Sequence, residues 1–142
     1  MGKACFIILA MALFPAGVSV QSLTVEISGI RTAKGVVRVS VFGNAEDFEK
    51  ERPLYEKTLS KSGLAEGKLT LVFSGIPPGR YGIAVLDDEN ENGKMDYRWL
   101  LPAEGFGFSG YTLKKLRRPR FEEFRFDLNG ESKTVKVQIL YW

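Results

Sequence analysis

Apolar and polar side chains alternate along most of the chain after residue 22, and no long helical stripe of apolar residues appears. Alternation with a period of two is typical of strands, because successive side chains of a strand point to opposite faces. It predicts six strands, carried by Leu23, Val25 and Ile27; Val37, Val39 and Val41; Leu69, Leu71 and Phe73; Tyr81, Ile83 and Val85; Phe124 and Phe126; and Val135, Val137, Ile139 and Tyr141. A weaker, polar segment at residues 55–61 predicts an edge strand. About seven short strands separated by turns predict an all-β fold, an antiparallel β-sandwich.

Two stretches depart from this pattern. Residues 45–54 include Glu46, Asp47 and Phe48 and predict a helical turn before Pro53. Residues 97–120 predict one long loop, whereas most connections in compact domains have about four to six residues. A loop of that length is usually functional, unless it contains structure that the pattern does not reveal.

The N-terminal segment has the order of features that marks a signal peptide. Lys3 precedes an apolar run over residues 4–14, Pro15 ends the run, and the small residues Ser19 and Ser22 follow. The run is shorter than the roughly 20 apolar residues that a permanent anchor needs. We therefore expect residues 1–22 to be cleaved, after Ser19 or Ser22, and residues 23–142 to form a single exported domain. A buried N-terminal helix is the alternative.

Composition limits the kinds of bond, partner and metal site that the exported domain can have. The single cysteine, Cys5, lies inside the predicted signal, so the mature chain has no thiol and no disulfide. Removal of Lys3 leaves 19 basic residues against 17 acidic ones, a net charge too small to indicate a nucleic-acid partner. The chain also has no histidine, which excludes most zinc and copper sites.

The acidic turn, residues 87–96, has the most specific local pattern. From Asp88 it follows D-x-N-x-N-G-x-x-D, the first nine positions of an EF-hand calcium loop. Alternate residues of such a loop point inward. The predicted calcium ligands are therefore the side chains of Asp88, Asn90, Asn92 and Asp96, together with the Lys94 carbonyl oxygen. The twelfth position is Trp99 instead of a bidentate Glu, so a weak site of about 10⁻⁴ to 10⁻³ M is expected. Asp87 and Glu104 are candidate extra ligands. A purely structural turn is the alternative, since Asp, Asn and Gly form such turns without an ion.

Aromatic and basic side chains are concentrated in residues 97–120. Aromatic residues on a glycine-rich loop can stack on sugars or anchor a partner, or they can fold back to cover the end of the sandwich. Basic side chains can meet phosphate-rich lipid headgroups or an acidic polysaccharide, or they can form local ion pairs with Glu122, Glu123 and Asp127. The candidate binding residues are Trp99, Phe106, Phe108, Tyr111, Lys114, Lys115, Arg117, Arg118 and Arg120.

Several of these segments together resemble a bacterial exported family known as domain of unknown function 2141. Residues 76–85 enter a predicted strand at Pro78, Gly79 and Tyr81 and run directly into the acidic turn. The block P-x-E-G-x-G-F-S follows at residues 102–109, and Pro119 and Phe121 come later. The strand entry is also similar to transthyretin-like and carboxypeptidase-regulatory-like sandwiches. The resemblance implies an immunoglobulin-like or prealbumin-like sandwich, exported from a bacterial cell, with no established activity.

A non-enzymatic binding or structural module is the function that the sequence favours, and calcium at the acidic turn is one of the two interpretations of that turn. Without histidine or a mature cysteine, no Ser-His or Cys-His nucleophile can be assembled. One alternative is a small glycan hydrolase that pairs Glu104 with Asp87 or Asp96. Another is an accessory protein that binds anionic envelope polymers through the basic residues at 114–120. Envelope polysaccharide, lipid headgroups or another exported protein are the expected partners, and the expected location is the periplasm, the outer membrane or the medium.

Overall fold

The computed structural model of the protein describes residues 21–95, 97–98, 101–112 and 117–142. The predicted signal segment up to residue 20 lies outside these residues. The described chain contains ten strands, two short helices and one 3₁₀ turn. In chain order these are β1 (Ser22–Ser28), β2 (Val36–Phe42), α1 (Ala45–Glu49), β3 (Tyr55–Ser60), the 3₁₀ turn (Lys61–Gly63), β4 (Leu69–Ser74), β5 (Gly79–Asp88), β6 (Tyr97–Arg98), β7 (Leu101–Pro102), β8 (Gly105–Phe108), α2 (Phe121–Phe124), β9 (Phe126–Leu128) and β10 (Lys133–Gln138).

The strands form two principal sheets, which confirms the predicted all-β sandwich. A three-stranded sheet has the order β10-β1-β4, and a five-stranded sheet has the order β3-β2-β5-β8, with β9 paired to the start of β5. Pairing is antiparallel except between β1 and β10, where Val25 lies opposite Val135 in a parallel register. Bridges from Phe106 to Leu140 and from Ser109 to Val137 join β8 to the β10 segment, so the two sheets meet along this side.

The inward-facing positions of the alternating strands form the core between the sheets. Val37, Val39 and Ile83 from the larger sheet pack against Leu23 and Val137 of the smaller one, and all five are almost completely buried. Burial of an aliphatic side chain of this size contributes about 1.5–3 kcal/mol. The polar strand predicted at residues 55–61 is β3, the exposed edge of the larger sheet, as expected.

A second apolar layer covers the outer face of the five-stranded sheet. This phenylalanine cluster consists of Phe42, Phe48, Phe108, Phe121 and Phe124. The rings meet mainly edge to face, with centroids 4.9 Å apart between Phe48 and Phe124, the geometry that aromatic pairs prefer. The outer face of this sheet is therefore partly apolar, and the helices α1 and α2 lie over it.

Two sequence predictions were wrong in this region. Residues 121–124, which alternation had assigned in part to a strand, form the helix α2. The Glu123 carboxylate accepts a hydrogen bond from the Arg120 backbone N–H at 2.7 Å, which fixes the first turn. Phe121 and Phe124, three positions apart, then lie on one helix face and are both buried. The strand begins only at Phe126.

The long loop predicted at residues 97–120 contains the strand β8. Its sequence alternates glycine and phenylalanine, and the glycines face the β10 segment at very short range. A Cβ on Gly105 would lie 2.3 Å from the Tyr141 ring, and one on Gly107 would lie 2.3 Å from the Gln138 carbonyl oxygen. Without apolar residues on both faces, this strand does not show the usual pattern of a buried strand.

Candidate functional site

Asp88 is the residue that organises the acidic turn. Its carboxylate is completely buried at the end of β5 and accepts hydrogen bonds from the backbone N–H groups of Gly93 at 2.8 Å and Asn92 at 3.1 Å. Arg38 of β2 donates through Nε to the same carboxylate at 2.7 Å. Burial acts to raise the pKa of Asp88, but the Arg38 guanidinium and the two amides outweigh burial and hold the pKa below the ordinary aspartate value. Asp88 is therefore a charged anchor for the turn.

The asparagines of the turn also accept hydrogen bonds from its backbone. Asn90 Oδ1 accepts from the Asn92 N–H at 3.2 Å, and Asn92 Oδ1 accepts from the Lys94 N–H at 2.9 Å. Glu91 and Gly93 adopt left-handed backbone angles, with φ of 58° and 76°. These contacts are those of a self-capped turn. Asp96 and Trp99 lie outside the described residues, and the described part of the chain brings together no group of three acidic, histidine or cysteine side chains that would hold a metal ion.

Asp87 and Glu104, the two candidate extra ligands, are both buried. Asp87 points to the opposite face of β5 from Asp88, because neighbouring residues of a strand alternate. Its carboxylate pairs with Lys61 and accepts a hydrogen bond from the Tyr141 hydroxyl, at 2.5 Å in each case. Asp87 therefore does not join the ligand set of the acidic turn, and it does not face solvent where a glycan would bind.

A groove of about 680 Å³ runs over the outer face of the five-stranded sheet, beside the acidic turn. Apolar side chains of the sheet and of α1 line its floor, among them Phe42, Phe48, Phe106 and Phe108. Gly93 and Lys94 of the acidic turn form part of its wall, and Trp142 lies at its edge. We call this the outer groove. Aromatic, aliphatic and charged side chains meet on this surface.

Four cationic side chains and two carboxylates also line the outer groove. They are Arg38, Lys94, Arg117 and Arg118, and Glu51 and Glu56. Arg118 donates to the Phe48 carbonyl oxygen at 2.6 Å, and its guanidinium lies 4.2 Å from the Phe48 ring centroid. Nη1 of Arg118 also pairs with the Glu51 carboxylate at 3.6 Å. Stacking of this kind holds a guanidinium in a fixed orientation.

Arg117 is held by an ion pair at the surface. Its two terminal nitrogens donate to the two carboxylate oxygens of Glu123 at 2.6 and 2.8 Å. The hydrogen bond from Arg117, together with the Arg120 backbone N–H, lowers the pKa of Glu123 to about 2, and the same pair raises the pKa of Arg117. The Arg117 guanidinium is thus fixed in place beside the groove, and Glu123 balances part of its charge.

The remaining sequence candidates fall into three groups. Phe106 and Phe108 both line the groove, Phe108 as a buried member of the phenylalanine cluster and Phe106 packed against it. Tyr111 also packs against the cluster but does not line the groove. Arg120 is exposed and does not line the groove, while Arg117 and Arg118 do. Lys114 and Lys115 lie outside the described residues. Phe106, Phe108 and Tyr111 thus cover the outer sheet face and not the open end of the sandwich.

The family model for uncharacterized proteins conserved in bacteria, domain of unknown function 2141, matches residues 25–136. The chain belongs to this family. Its match extends from β1 into β10 and so includes both sheets and the acidic turn. No curated protein and no solved structure matches the chain.

Within this DUF2141 fold, the block P-x-E-G-x-G-F-S occupies β7, the following turn and β8. Ser109, its last residue, is buried, accepts a hydrogen bond from the Ile83 N–H at 3.0 Å and donates to the Phe124 carbonyl at 2.7 Å. The block therefore ties the central strand β5 to helix α2 under the outer groove.

Sequence reasoning missed Arg38, Phe42 and Trp142 as residues of the groove. Alternation along β2 places Arg38 on the outer face, but nothing in the sequence shows that distant segments converge there. None of the helices in the described part of the chain has the length and apolar character that crossing a membrane requires.

Proposed function

We propose that the protein is an exported, non-catalytic binding module and that the outer groove is its binding site. The observation that carries this proposal is a concave surface with a phenylalanine floor and guanidinium groups at its rim. Ligand sites generally combine an apolar lining with a few placed polar groups. The ligand class that fits has an anionic group joined to an apolar or ring-shaped body.

The position of Arg118 supports the anionic part of this ligand. Stacking on Phe48 and the bond to the Phe48 carbonyl use one face and one edge of the guanidinium. The Glu51 carboxylate lies 3.6 Å from Nη1 of the same guanidinium, so an incoming carboxylate or phosphate has to compete with it. The planar fork of arginine suits such oxyanions. Lys94 adds a second positive charge along the same groove.

The apolar floor supports the second part of the ligand. Phe106 is only partly buried, lies opposite Leu86 in the β5–β8 pair and lines the groove. Aromatic side chains of this kind contribute by stacking and by removing apolar surface from water. Trp142 is 51% exposed at the edge and offers a further ring.

A non-catalytic role is proposed from the chain's chemistry. The sequence has no histidine, and its single cysteine lies in the predicted signal peptide. Asp87, one carboxylate of the alternative hydrolase, is completely buried and bound to Lys61. Export is proposed from the charge and apolar pattern of the N-terminal segment.

The test is a two-dimensional NMR titration of the mature protein with three probes. These are a short-chain anionic phospholipid below its micelle concentration, an acidic oligosaccharide, and a neutral oligosaccharide of equal length. We expect saturable shifts of the backbone signals of Phe106, Arg118 and Trp142 with one of the two anionic probes. The neutral sugar separates stacking alone from recognition of charge, and the lipid and acidic sugar separate two sources of the anion.

The matched variants are Arg118→Gln and Arg80→Gln. Arg80 forms an exposed ion pair with Asp127 and does not line the groove. Loss of a charged hydrogen bond of about 1.5 kcal/mol corresponds to roughly tenfold weaker binding. We expect that loss in Arg118→Gln and unchanged affinity in Arg80→Gln. Equal affinity in both variants, or the absence of shifts with every probe, would show that the outer groove is not the binding site.

Calcium stabilisation of the acidic turn is a second proposal, supported by the D-x-N-x-N-G-x-x-D spacing. Arg38 already balances the Asp88 charge at 2.7 Å, so an ion has to compete with a guanidinium. The expected result is a rise in melting temperature at millimolar calcium that magnesium does not reproduce. An unchanged melting temperature at ten millimolar calcium, on the order of ten times the weakest expected dissociation constant, would contradict it.

A further inference from the structure

A buried lysine and a buried aspartate meet at one end of the sandwich, away from the outer groove. The side chain of Lys61, in the 3₁₀ turn after β3, is only 2% exposed, and that of Asp87, near the end of β5, is 0% exposed. Lys61 Nζ lies 2.5 Å from Asp87 Oδ1. Nitrogen–oxygen contacts between opposite charges usually measure about 2.7–2.9 Å. The amine therefore contacts one particular oxygen of the carboxylate.

The surroundings fix both partners. Lys61 Nζ donates to the carbonyl oxygens of Lys34 at 2.6 Å and Thr32 at 3.0 Å. On the other side, the Tyr141 hydroxyl donates to Asp87 Oδ2 at 2.5 Å and accepts from the Arg31 N–H at 3.1 Å. The two carboxylate oxygens thus have different roles, because Oδ1 faces the amine and Oδ2 faces the phenol.

Burial of two opposite charges has a large desolvation cost. Transfer of one proton from the ammonium to Oδ1 removes both charges and leaves an amine beside a carboxylic acid. Because Oδ1 is bonded to Cγ, the contact at Oδ1 also brings Nζ towards the carbon that it would attack. Positioning of two reacting groups lowers a reaction barrier strongly. A phenol aimed at Oδ2 stabilises the negative charge that develops there during attack.

We propose that Lys61 and Asp87 condense to an intramolecular amide bond that links the 3₁₀ turn to β5. After the proton transfer, Nζ attacks Cγ and forms a C–N bond, and Oδ2 carries the negative charge of the tetrahedral intermediate against the Tyr141 hydroxyl. A second proton passes from the nitrogen to Oδ1, the Cγ–Oδ1 bond breaks, and Oδ1 leaves as water. Of the three hydrogens on the ammonium, two leave with the water and one remains on the amide nitrogen. No oxidant or reductant is needed.

The amide product retains partners for its polar groups. Its single N–H is placed to donate to the Lys34 carbonyl, and its carbonyl oxygen, the former Oδ2, accepts from Tyr141. The product carries no charge, so the desolvation cost of the ion pair disappears. A covalent link between distant parts of the chain restricts the unfolded state, as a disulfide does. The predicted mature chain has no cysteine, so this bond would take the place of a disulfide.

The test is mass spectrometry of the mature protein under denaturing conditions. We expect an intact mass lower than that of the sequence by one molecule of water. Trypsin should then fail to cleave after Lys61 and should release a branched peptide that joins residues 58–68 to residues 81–94. An intact mass equal to that calculated from the sequence, with cleavage after Lys61 and a free 81–94 peptide, would show that the two residues form only an ion pair and would overturn the proposal. Loss of water without a branched peptide, as in a succinimide at another aspartate, would overturn it equally.

Three variants identify the chemistry, and the wild-type masses decide the proposal whether or not a variant folds. Lys61→Arg keeps the positive charge but cannot form the amide, so its full mass is expected. Asp87→Asn should form the same link with loss of ammonia instead of water. Tyr141→Phe should slow the appearance of the branched peptide after refolding by at least about tenfold, because it removes the donor to Oδ2. An unchanged rate in Tyr141→Phe would contradict the assigned role of the phenol.

Discussion

Asp87 and Asp88 are neighbours in the sequence, yet strand geometry sends their carboxylates to opposite faces of β5. Asp87 faces Lys61 and Tyr141 in the interior, and Asp88 faces Arg38 and the backbone of the acidic turn. Both are completely buried, so each depends on its partners for charge compensation. The consequences of substitution therefore differ between the two positions, and those for Asp88 follow from three hydrogen bonds.

Asp88→Asn should destabilise the fold by about 2 kcal/mol at pH 7. An amide has one acceptor oxygen and no charge, so it cannot accept from Asn92 on one side while it accepts from Gly93 and pairs with Arg38 on the other. The pKa of Asp88 is lower in the folded chain than in the unfolded one. Its contribution is therefore complete above the ordinary aspartate pKa of about 3.9 and declines as pH falls through the lower folded value. Denaturant unfolding at a series of pH values should show that the difference in free energy of unfolding between wild type and variant becomes smaller in acid.

Asp127→Asn is the matched control for this prediction. Asp127 pairs with Arg80 at 3.0 Å, but both side chains are more than half exposed. Exposed pairs of this kind contribute about 0–1 kcal/mol, so the control should unfold close to wild type at every pH. A gap for Asp88→Asn that stays constant down to pH 2 would show that its carboxylate charge does not contribute.

At the scale of elements, β8 depends on glycine at the positions that face β10. A Cβ on Gly107 would lie 2.3 Å from a backbone oxygen of Gln138, which no side-chain movement relieves. Gly107→Ala should therefore lower the free energy of unfolding by about 3 kcal/mol, at the upper end of overpacking costs. Thermal or denaturant unfolding measures this. The control is Gly63→Ala, where the added Cβ has nothing within 4 Å and φ is negative, so stability should change by no more than about 1 kcal/mol. Similar losses of stability in both variants would contradict the close approach of β8 and β10.

Ser109 should be equally sensitive, because it joins two elements through one hydroxyl. Ser109→Ala leaves the Ile83 N–H and the Phe124 carbonyl without this partner in a buried place. A loss of about 1–3 kcal/mol is expected from unfolding measurements. Ser132→Ala, which removes exposed hydrogen bonds to Ser22, should stay within about 0.5 kcal/mol of wild type. Equal stability of the two variants would refute the role of Ser109 as a link.

The strands with strict alternation, such as β1, β2 and β10, could be predicted from the sequence because one face of each is buried. β8 could not, since its inner positions are glycines, which the close approach of β10 requires but the local sequence does not reveal. The helix α2 was missed for a related reason. The spacing of Phe121 and Phe124 fits one helix face, whereas the spacing of Phe124 and Phe126 fits one strand face. Only the Arg120–Glu123 contact and the phenylalanine cluster decide between them.

At the scale of the whole molecule, the candidate site is an assembly of separate segments. The acidic turn was recognisable because its residues are consecutive, whereas the outer groove combines Arg38, Phe48, Phe106, Arg118 and Trp142 from five parts of the chain. Spacing along a sequence reports local turns well, but a groove arises only when the sheet order brings distant outer faces together. The basic residues were identified as a charge cluster, and their relation to the phenylalanine floor became visible only in three dimensions.

This arrangement makes the acidic turn a wall of the groove, which joins the two candidate sites. Asp88 holds Arg38 by its Nε and Gly93 by its backbone N–H, and both residues line the groove. Loosening them should disturb a bound ligand even where Asp88 does not touch it. In the NMR titration with the anionic probe that binds, Asp88→Asn should weaken affinity about fivefold, or roughly 1 kcal/mol, at a temperature where the variant is fully folded. Asp127→Asn should bind like wild type, and an unchanged affinity for Asp88→Asn would mean that the turn and the groove act independently.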